Sequence, residues 1–435
     1  MQIRTPAEAA ALVRDVDTLA VPLGPGQPGA FLHALGERER FTDLRVFGAL
    51  LIDFYPLFTR PGVQLLSGFF GPVERALRAG GHPVHFVPAD FRRFANLARR
   101  MAPRVMATAA TPPDSEGRMS LALHAGATID ELVRCGRDPD RTLIVEMNRN
   151  LPRTHGLPPA YPHALLVDEV DIAIESERPV VTLPDLQADE AEQRIAAHAH
   201  GFISDGCTLQ TGIGGVPNLV VRMLAEGSGG DYGIHSEMFT DGLMHLHHAG
   251  KVSNKKGIHD GYSVATFAMG SRALYDWLDG NSAVRFLPVD QVNEPSLIAR
   301  NRKVISINGA LSVDLVGQVV ADRIGDREHS GIGGHEDFVT GAAFSEGGRS
   351  LICLPSTAKT PAGVVSRIVS VFPAGTCVTT PRHQVDVIIT EFGAAELAGK
   401  TAGERAAALI EIAHPAFRDA LRAGNVSLAP IGNGG

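Results

Sequence analysis

The stretch Cys207-Thr-Leu-Gln-Thr-Gly-Ile-Gly-Gly-Val216 predicts a short buried strand, a glycine-rich turn and the start of a helix. Glycine has no Cβ, so such a turn can bring its backbone amides close to a ligand. The helix behind the turn directs those amides and the positive end of its dipole at an anion. The helix is indicated by apolar residues spaced along one face: Val216, Leu219, Val220, Met223 and Leu224. The stretch therefore predicts a strand–turn–helix unit that binds an anion or a thioester.

Apolar, β-branched runs alternate with helical patterns along the whole chain, which predicts an α/β fold with mostly parallel strands. In the first half the predicted strands are Leu44–Leu51, Pro83–Val87, Arg104–Ala109, Thr142–Met147 and Ala164–Ile174, and the predicted helices are Ala89–Arg100 and Ala127–Cys135. In the second half the predicted strands are Thr208–Thr211, Asp231–His235, Val284–Pro288, Val304–Ile307, Ser350–Leu354 and Val385–Thr390. The predicted helices there are Pro217–Ala225, Ser271–Trp277, Glu404–Ala413 and Pro415–Arg422.

The bulk composition bounds the class of protein. The chain has 435 residues, 44% of them hydrophobic, and a formal net charge of −8. Because no long block of like charges occurs, we expect neither nucleic acid nor a membrane as a partner. We also expect no signal peptide and no transmembrane span. The cysteines are scattered without a CxxC pair, which is typical of reduced thiols in a cytoplasmic protein: Cys135, Cys207, Cys353 and Cys377.

A carboxylate follows the glycine-rich turn, in Asp231-Tyr-Gly-Ile-His-Ser-Glu-Met238. Glu237 lies where the predicted strand ends, close in sequence to the turn. A carboxylate nucleophile exchanges a thioester for an anhydride and requires no permanently bound cofactor or metal. A second glycine cluster, Ser330-Gly-Ile-Gly-Gly-His-Glu-Asp-Phe338, can supply amides for an oxyanion. The two clusters are predicted to form two walls of one site, although each alone also fits an ordinary loop.

Other interpretations of the first turn are less consistent with the sequence. A dinucleotide-binding fingerprint requires a third glycine where this chain has Pro217. A phosphate-binding P-loop requires a Gly-Lys-Ser/Thr ending, and a serine hydrolase requires a G-x-S-x-G elbow; neither occurs. His245 and His248 share a helix face, but a zinc site needs further ligands. We therefore expect no metal and interpret these histidines as a polar helix face.

The motifs of the chain resemble those of the acetyl-CoA hydrolase/transferase family of class I CoA-transferases. In the second half they are Leu209-Gln-Thr-Gly-Ile-Gly214, His235-Ser-Glu-Met238, Asn308 with Asp314-Leu-Val-Gly-Gln318, Gly331-Ile-Gly-Gly334 with Asp337-Phe338, Pro355-Ser-Thr-Ala358 and Thr390-Glu-Phe-Gly393. In the first half they are Pro112-Pro-Asp114 with Gly117 and Ser120, and Asn148 to Leu151-Pro-Arg153. The resemblance spans nearly the whole chain, and the length is most similar to the 4-hydroxybutyrate CoA-transferase subgroup.

The resemblance implies two tandem α/β domains, residues 1–185 and 186–435, with the active site at their interface. A linker is predicted at Pro179–Glu190. It also implies a homodimer or homotetramer whose substrates are acyl-CoA and small carboxylates, with coenzyme A as a substrate and not a resident cofactor.

The family match assigns roles to individual residues. Glu237 matches the catalytic glutamate of a ping-pong reaction through a glutamyl-CoA thioester, and Asn293 and Gly334 match the oxyanion pair. Such a glutamate is expected to be ionised at neutral pH. The residues assigned to CoA binding are Gly212, Ile213, Gly214, Gly215, Val216, Gly331, Gly333 and Lys359. Those assigned to the acyl group are Gln210 and His335.

One departure from the family pattern bears on the substrate. Many relatives carry Gly-Gly-Gln where this chain has Gly334-His-Glu336. We expect His335 and Glu336 to shape the acyl pocket, with an imidazole whose charge responds to pH near 6.5. The sequence thus predicts transfer of CoA between a short-chain acyl-CoA, such as acetyl-CoA, and a small acid such as 4-hydroxybutyrate, butyrate or acetate. Acyl-CoA hydrolysis by the same glutamate is the alternative, and a CoA-binding protein without turnover is a further one.

Overall fold

Two mostly parallel β-sheets, one in each half of the chain, organise the molecule. The structure is a computed structural model that describes residues 1–124, 126–184, 188–212 and 214–424. Within those ranges no helix is both long and apolar enough to cross a membrane. The predicted domain division at residue 185 and part of the predicted linker fall on residues 185–187, outside the described residues, and the division stays a prediction.

The first sheet has eight strands, all parallel, in the order β1-β10-β8-β6-β2-β3-β4-β5. The strands of this half are β1 Gln2–Ile3, β2 Val16–Ala20, β3 Asp43–Gly48, β4 Val63–Ser67, β5 Val84–Phe86, β6 Val105–Ala110, β7 Arg118–Ser120, β8 Thr142–Asn148, β9 Ala164–Leu166 and β10 Ile172–Ser176. The helices are α1 Pro6–Ala10, α2 Gly29–Gly36, α3 Pro72–Ala79, α4 Phe94–Met101 and α5 Ile129–Arg137.

Both faces of this sheet are buried, as expected when helices cover a parallel sheet on both sides. The alternation along β6 shows it: Val105 and Ala107 contribute to one hydrophobic core, and Met106 and Ala110 to the other. The second core also contains Met238, which comes from the other half of the chain. The two halves are therefore joined by shared apolar packing.

The second sheet has six strands in the order β12-β11-β17-β22-β26-β27, parallel except for the last pair. The strands of this half are β11 Thr208–Thr211, β12 Gly233–Ile234, β13 Met238–Phe239, β14 Ser263–Ala265, β15 Phe267–Ala268, β16 Val284–Phe286, β17 Val304–Gly309, β18 Ser312–Asp314, β19 Val319–Val320, β20 Arg323–Ile324, β21 Arg327–Glu328, β22 Arg349–Cys353, β23 Thr357–Thr360, β24 Gly363–Ser366, β25 Ile368–Val369, β26 Val387–Thr390 and β27 Gly393–Glu396. The helices are α6 Glu190–His200, α7 Gly215–Glu226, α8 Asp241–His248, α9 Arg272–Leu278, α10 Val289–Val292, α11 Pro295–Ile298, α12 His335–Phe344, α13 Ala402–Glu411 and α14 Arg418–Ala423.

The predicted α/β fold is confirmed, and most predicted elements differ only at their ends. Three kinds of correction are needed. The strand predicted at Ala164–Ile174 is divided into β9 and β10 by a 3-10 turn at Val167–Glu169, where the Glu169 carboxylate accepts a hydrogen bond from the Leu166 amide. The helices predicted at Ala89–Arg100 and Pro415–Arg422 begin as 3-10 turns, at Phe91–Arg93 and Pro415–Phe417.

The third correction concerns Asp231–His235, of which only Gly233–Ile234 is sheet strand. The His235 amide still donates to the Leu209 carbonyl of β11 at 3.2 Å, and His235 forms an isolated bridge to Val264. The segment that carries Glu237 therefore lies between β12 and β13, not at the end of one continuous strand.

Candidate active site

A cavity of about 190 Å³ lies at the carboxyl ends of β11 and β17. The strand order of the second sheet reverses between these two neighbours, since β12 extends the sheet on one side and β22 on the other. Such a reversal leaves a crevice in which α/β proteins bind ligands. The cavity is lined by Phe69, Gln210, Thr211, Gly212, Glu237, Met238, Asn308, Gly309, Ala321, Ser330, Gly331, Ile332, Gly333, Gly334, His335 and Phe338.

Glu237 faces this cavity from the segment between β12 and β13. Its backbone carbonyl accepts hydrogen bonds from the amides of Thr266, at 2.9 Å, and Phe267, at 3.3 Å. The side chain is half-buried. The backbone on both sides is thus fixed, and the carboxylate is held at the cavity wall.

The two residues predicted as oxyanion donors both contact this carboxylate. Asn293 Nδ2 donates to Glu237 Oε2 at 2.7 Å, and the backbone amide of Gly334 also hydrogen-bonds the carboxylate. A Cβ at Gly334 would lie 2.0 Å from Glu237 Oε2 and 2.3 Å from Asn293 Nδ2. Only glycine therefore permits this approach, and the structure brings Glu237, Asn293 and Gly334 together as the sequence predicted.

Burial raises the pKa of Glu237 to about 8. The Asn293 hydrogen bond lowers this pKa, the negative charge of Asp337 raises it, and the Gly334 hydrogen bond lowers it again. Desolvation disfavours the ionised form more than the two donors stabilise it. The expectation that this carboxylate is already ionised at neutral pH is therefore wrong for the ligand-free protein.

Asp337 and Arg92 form a support behind Asn293 that the sequence did not indicate. Asp337 is fully buried, and its Oδ2 accepts a hydrogen bond from Asn293 Nδ2 at 3.2 Å. Its other oxygen is paired with the guanidinium of Arg92, from the first half of the chain. Next to Arg92, the Phe91 amide donates to the Gly333 carbonyl at 3.0 Å. The first half thereby positions both donors to Glu237.

Phe69, also from the first half, forms one wall of the cavity. It packs against the second glycine turn: a Cβ at Gly331 would lie 2.6 Å from the Gly68 carbonyl and 3.1 Å from the Phe69 ring. Gly333 has φ +58°, a conformation that favours glycine. A lone phenylalanine more than 160 residues upstream of Glu237 carries no local sequence signal of this role.

The residues of the first glycine turn lie in different surroundings. Gly212 lines the Glu237 cavity, and Gly214, the N-cap of α7 with φ +136°, lines a second cavity of about 450 Å³. Gly215 packs against Glu192, and the Val216 side chain is buried in the core. Ile213 lies outside the described residues. The side chain of Val216 packs in the core, and the open backbone of this turn lies near Gly212 and Gly214.

His335 and Gln210, the residues predicted to contact the acyl group, both line the cavity. His335 Nε2 lies 2.9 Å from Thr380 Oγ. Burial lowers the pKa of His335 to about 4. The expectation that its charge changes near pH 6.5 is therefore wrong, because the buried imidazole stays neutral. The Gln210 Oε1 atom is buried and has no hydrogen-bond partner among the described residues.

The remaining predicted residues lie away from Glu237. Lys359 is exposed on the β23–β24 hairpin and is not among the lining residues of the cavity. His245 lines the larger cavity, and His248 packs edge-on against Trp277. Among the described residues, no three His, Cys, Asp or Glu side chains are grouped so that they could hold a metal ion.

Comparison with known proteins identifies the family. A family model described as the acetyl-CoA hydrolase/transferase C-terminal domain matches residues 270–424. The succinyl-CoA:cyclohexane-1-carboxylate CoA transferase of Geobacter metallireducens is 36% identical over 97% of this chain and 94% of its own length. The 4-hydroxybutyrate coenzyme A transferase of Clostridium kluyveri is 39% identical over 90% of this chain and 92% of its own.

A solved structure agrees with these sequence matches. The crystal structure of RipA from Yersinia pestis superposes with a TM-score of 0.86 at 36% identity, covering 97% of this chain and 96% of that chain. The superposition therefore covers both halves of the chain. The chain belongs to the acetyl-CoA hydrolase/transferase family and is an enzyme of that family.

Proposed function

We propose that this protein is a CoA-transferase that moves CoA between a short-chain acyl-CoA and a small carboxylate. Acetyl-CoA is the leading donor, and 4-hydroxybutyrate, butyrate and acetate are the leading acids. One observation carries the proposal: Glu237 lines a cavity of about 190 Å³ while accepting hydrogen bonds from Asn293 and the Gly334 amide. A carboxylate held in this way is suited to attack a thioester.

The first half-reaction loads CoA onto Glu237. A carboxylate oxygen attacks the thioester carbonyl, the C–S bond breaks, and CoA leaves as a thiolate. The mixed acyl-glutamyl anhydride remains. The thiolate then attacks the glutamyl carbonyl, a glutamyl-CoA thioester forms, and the first acid departs as a carboxylate.

The second half-reaction repeats these steps in reverse with another acid. The incoming carboxylate attacks the glutamyl-CoA carbonyl and expels the thiolate, which attacks the acyl carbonyl of the new anhydride. A new acyl-CoA forms, and Glu237 is regenerated as a carboxylate. No proton, electron or further reactant is consumed over the cycle.

The donors around Glu237 support both half-reactions. Each attack on the glutamyl carbonyl places negative charge on its oxygen, and Asn293 Nδ2, which contacts Oε2, and the Gly334 amide already donate to this carboxylate. A preorganised donor of this kind is worth on the order of 3 kcal/mol in the transition state. Asp337 keeps Asn293 oriented, since it accepts from the same amide nitrogen.

The raised pKa of Glu237 sets the pH at which the nucleophile is available. With a pKa of about 8, most of the ligand-free protein holds a proton on this carboxyl at pH 7. Loss of that proton precedes attack, because only the carboxylate is nucleophilic. The rate of the first half-reaction is therefore expected to rise with pH up to about pH 8.

Relatives favour the proposed substrates. The Clostridium kluyveri relative is named for 4-hydroxybutyrate, and relatives from Syntrophomonas wolfei and Anaerostipes caccae are named for butyrate or butyryl-CoA with acetate or acetyl-CoA. A weaker relative from Neurospora crassa, 28% identical over 73% of this chain, is named acetyl-CoA hydrolase. Hydrolysis therefore remains the rival activity.

The discriminating experiment compares acceptors in one assay. Acetyl-CoA is mixed with the protein alone or with each acid of a carboxylate panel, and both free thiol and new acyl-CoA are measured. Transfer predicts rapid formation of a new acyl-CoA and slow thiol release. Thiol release at the same rate with and without any acid would instead identify a hydrolase.

A further inference from the structure

A buried hydrogen-bonded chain leads from the cavity wall to a second acid. His335 Nε2 lies 2.9 Å from Thr380 Oγ, and Thr380 Oγ also contacts Glu336 Oε1. His335 Nε2 lies 3.9 Å from Glu336 Oε1, beyond hydrogen-bond reach, so the threonine hydroxyl bridges them. Thr380 is fully buried, and its hydroxyl makes only these two hydrogen bonds within the described ranges.

The three hydrogen-bonded side chains can carry their protons in two arrangements. A hydroxyl has one proton to donate, and an ionised carboxylate only accepts. When Glu336 is ionised, Thr380 donates to it and accepts from His335 Nε2–H, which leaves a lone pair on Nδ1. When Glu336 is protonated, it donates to Thr380, Thr380 donates to Nε2, and the imidazole proton is on Nδ1.

The two arrangements interconvert by a balanced proton relay. A proton from the cavity binds Nδ1, the Nε2 proton passes to the Thr380 oxygen, and the original hydroxyl proton passes to Glu336. One N–H bond forms and one breaks, one O–H bond of the threonine replaces another, and the carboxyl gains one proton. The imidazole is neutral at the start and at the end.

We propose that His335, Thr380 and Glu336 form a tautomer switch, in which the protonation state of Glu336 decides whether Nδ1 accepts or donates a hydrogen bond toward the acyl group. His335 lines the cavity, and its Nε2 is engaged by Thr380, so Nδ1 is the ring nitrogen left for a ligand. In the ionised state the accepting Nδ1 favours acyl groups that carry a hydroxyl. This inference rests on the proposed function and names hydroxy acids as its preferred substrate class.

The charges around the switch place its transition near neutral pH. Burial raises the pKa of Glu336 to about 7; the Thr380 hydrogen bond lowers it, Asp90 and Asp337 raise it, and Arg92 lowers it. The pKa of His335, about 4, keeps the imidazole neutral above that range. Glu237 lines the same cavity, and its pKa is about 8. A ratio of rates for two acids cancels the effect of Glu237, because both acids use the same nucleophile.

The test measures the ratio of kcat/KM for 4-hydroxybutyrate to that for butyrate, with acetyl-CoA as donor, from pH 6 to 8.5. In the native protein we expect the ratio to rise about tenfold through pH 7. Thr380→Val removes the bridging hydroxyl while keeping the shape, and it should give a pH-independent ratio. Thr380→Ser restores the hydroxyl and should restore the pH dependence. Thr379→Val is the matched control, since the Thr379 hydroxyl contacts Asp322 instead, and it should retain the native profile.

A spectroscopic measurement tests the switch in the native protein, and a variant is used only to assign the resonances. With ¹⁵N-labelled histidine, the resonances lost in His335→Gln identify His335, and their shifts report which ring nitrogen is protonated. The expected result is a change from Nδ1–H to Nε2–H as the pH rises through about 7. A single tautomer across the range, or a flat ratio in an active native protein, would overturn the switch alone. Absence of CoA transfer to every acid would instead overturn the proposed function.

Discussion

The two glycine turns share the tetrapeptide Gly-Ile-Gly-Gly, at 212–215 and 331–334, yet the structure surrounds them differently. At Gly212 a Cβ would meet nothing within 4 Å, and at Gly214 its nearest neighbour would be Pro217 at 3.7 Å. At Gly334 a Cβ would lie 2.0 Å from Glu237, and at Gly331 it would lie 2.6 Å from the Gly68 carbonyl. The first turn thus has space left for a ligand, whereas the second needs glycine to fit the protein itself.

From this contrast we expect the two turns to have different parts in the proposed reaction. Open backbone beside the N-terminus of α7 is suited to bind the CoA portion of the substrate. Backbone packed against Glu237 is suited to stabilise charge at the reacting carbonyl. Substitutions in the second turn should therefore reduce kcat, and substitutions at the open positions of the first should raise the KM for acyl-CoA.

The largest effect is expected for Gly334→Ala. Gly334 has φ −93°, so alanine introduces no backbone strain there, and the added methyl group displaces Glu237 and Asn293. We expect kcat to fall by about 10³-fold or more with CoA affinity retained. Steady-state kinetics and calorimetric CoA binding measure the two effects. Near-native kcat in the folded variant would show that the crowded turn is not part of the catalytic site.

A smaller effect is expected for Asp337→Asn, which removes the charged partner of Asn293 and Arg92. Asn293 loses a charged anchor, so kcat/KM for acyl-CoA should fall about tenfold. Removal of the negative charge also lowers the pKa of Glu237, because Asp337 raises it. The rise of kcat/KM with pH, expected near pH 8 in the native protein, should therefore move to lower pH by about one pH unit.

The matched control for this pH profile is Asp17→Asn. Asp17 is also a buried aspartate paired with an arginine, Arg104, but it lies in the first sheet. Loss of the Asp17 charge should reduce the melting temperature and leave the pH dependence of kcat/KM unchanged. If kcat/KM of Asp337→Asn still rises with a midpoint near pH 8, the charge of Asp337 does not act on Glu237.

Gly212→Val tests the open turn. Since nothing lies within 4 Å of the new Cβ, we expect the melting temperature to change little. The KM for acyl-CoA should rise about tenfold as the side chain blocks approach to the backbone. Gly215→Ala, in the same turn, should instead lower the melting temperature and leave the KM for acyl-CoA unchanged, because its Cβ would lie 2.4 Å from Glu192. An unchanged KM in folded Gly212→Val would remove this turn from the CoA site.

The smallest effect is expected for Lys359→Met, outside both turns. Lys359 is exposed, so any contact with CoA phosphates is screened by salt. We expect the KM for acyl-CoA to rise less than about threefold at low ionic strength and to match the native value at high salt. Lys400→Met, another exposed lysine of this half, is the control. Equal KM values for both variants at low salt would show that Lys359 does not contact CoA.

Local sequence patterns predicted the helices and strands that are determined by residues close together in the sequence. The strand Thr208–Thr211 has the predicted bounds, and the helix predicted at Pro217–Ala225 is observed at Gly215–Glu226. The strand predicted at Ala164–Ile174 failed, because a continuous apolar run does not reveal the turn at Val167–Glu169. Periodicity reports which face is buried, and it is insensitive to short breaks of this kind.

The residues proposed to react could be predicted from the sequence, whereas the residues that hold them in place could not. Glu237, Asn293 and Gly334 meet as the family motifs implied. Arg92 reaches Asp337 across 245 positions, and no local pattern indicates such a pair. The neutral His335 and the raised pKa of Glu237 also depend on burial by distant elements, which residue type alone does not determine.

We expect Glu237 to become covalently linked to CoA, and chemical trapping can detect this link. The protein is incubated with acetyl-CoA without an added acid, treated with borohydride and digested, and the peptides are analysed by mass spectrometry. We expect reduction of a thioester at Glu237, with parallel loss of activity, and no modification in Glu237→Gln. Modification at another residue, or near-native CoA exchange by Glu237→Gln, would contradict it.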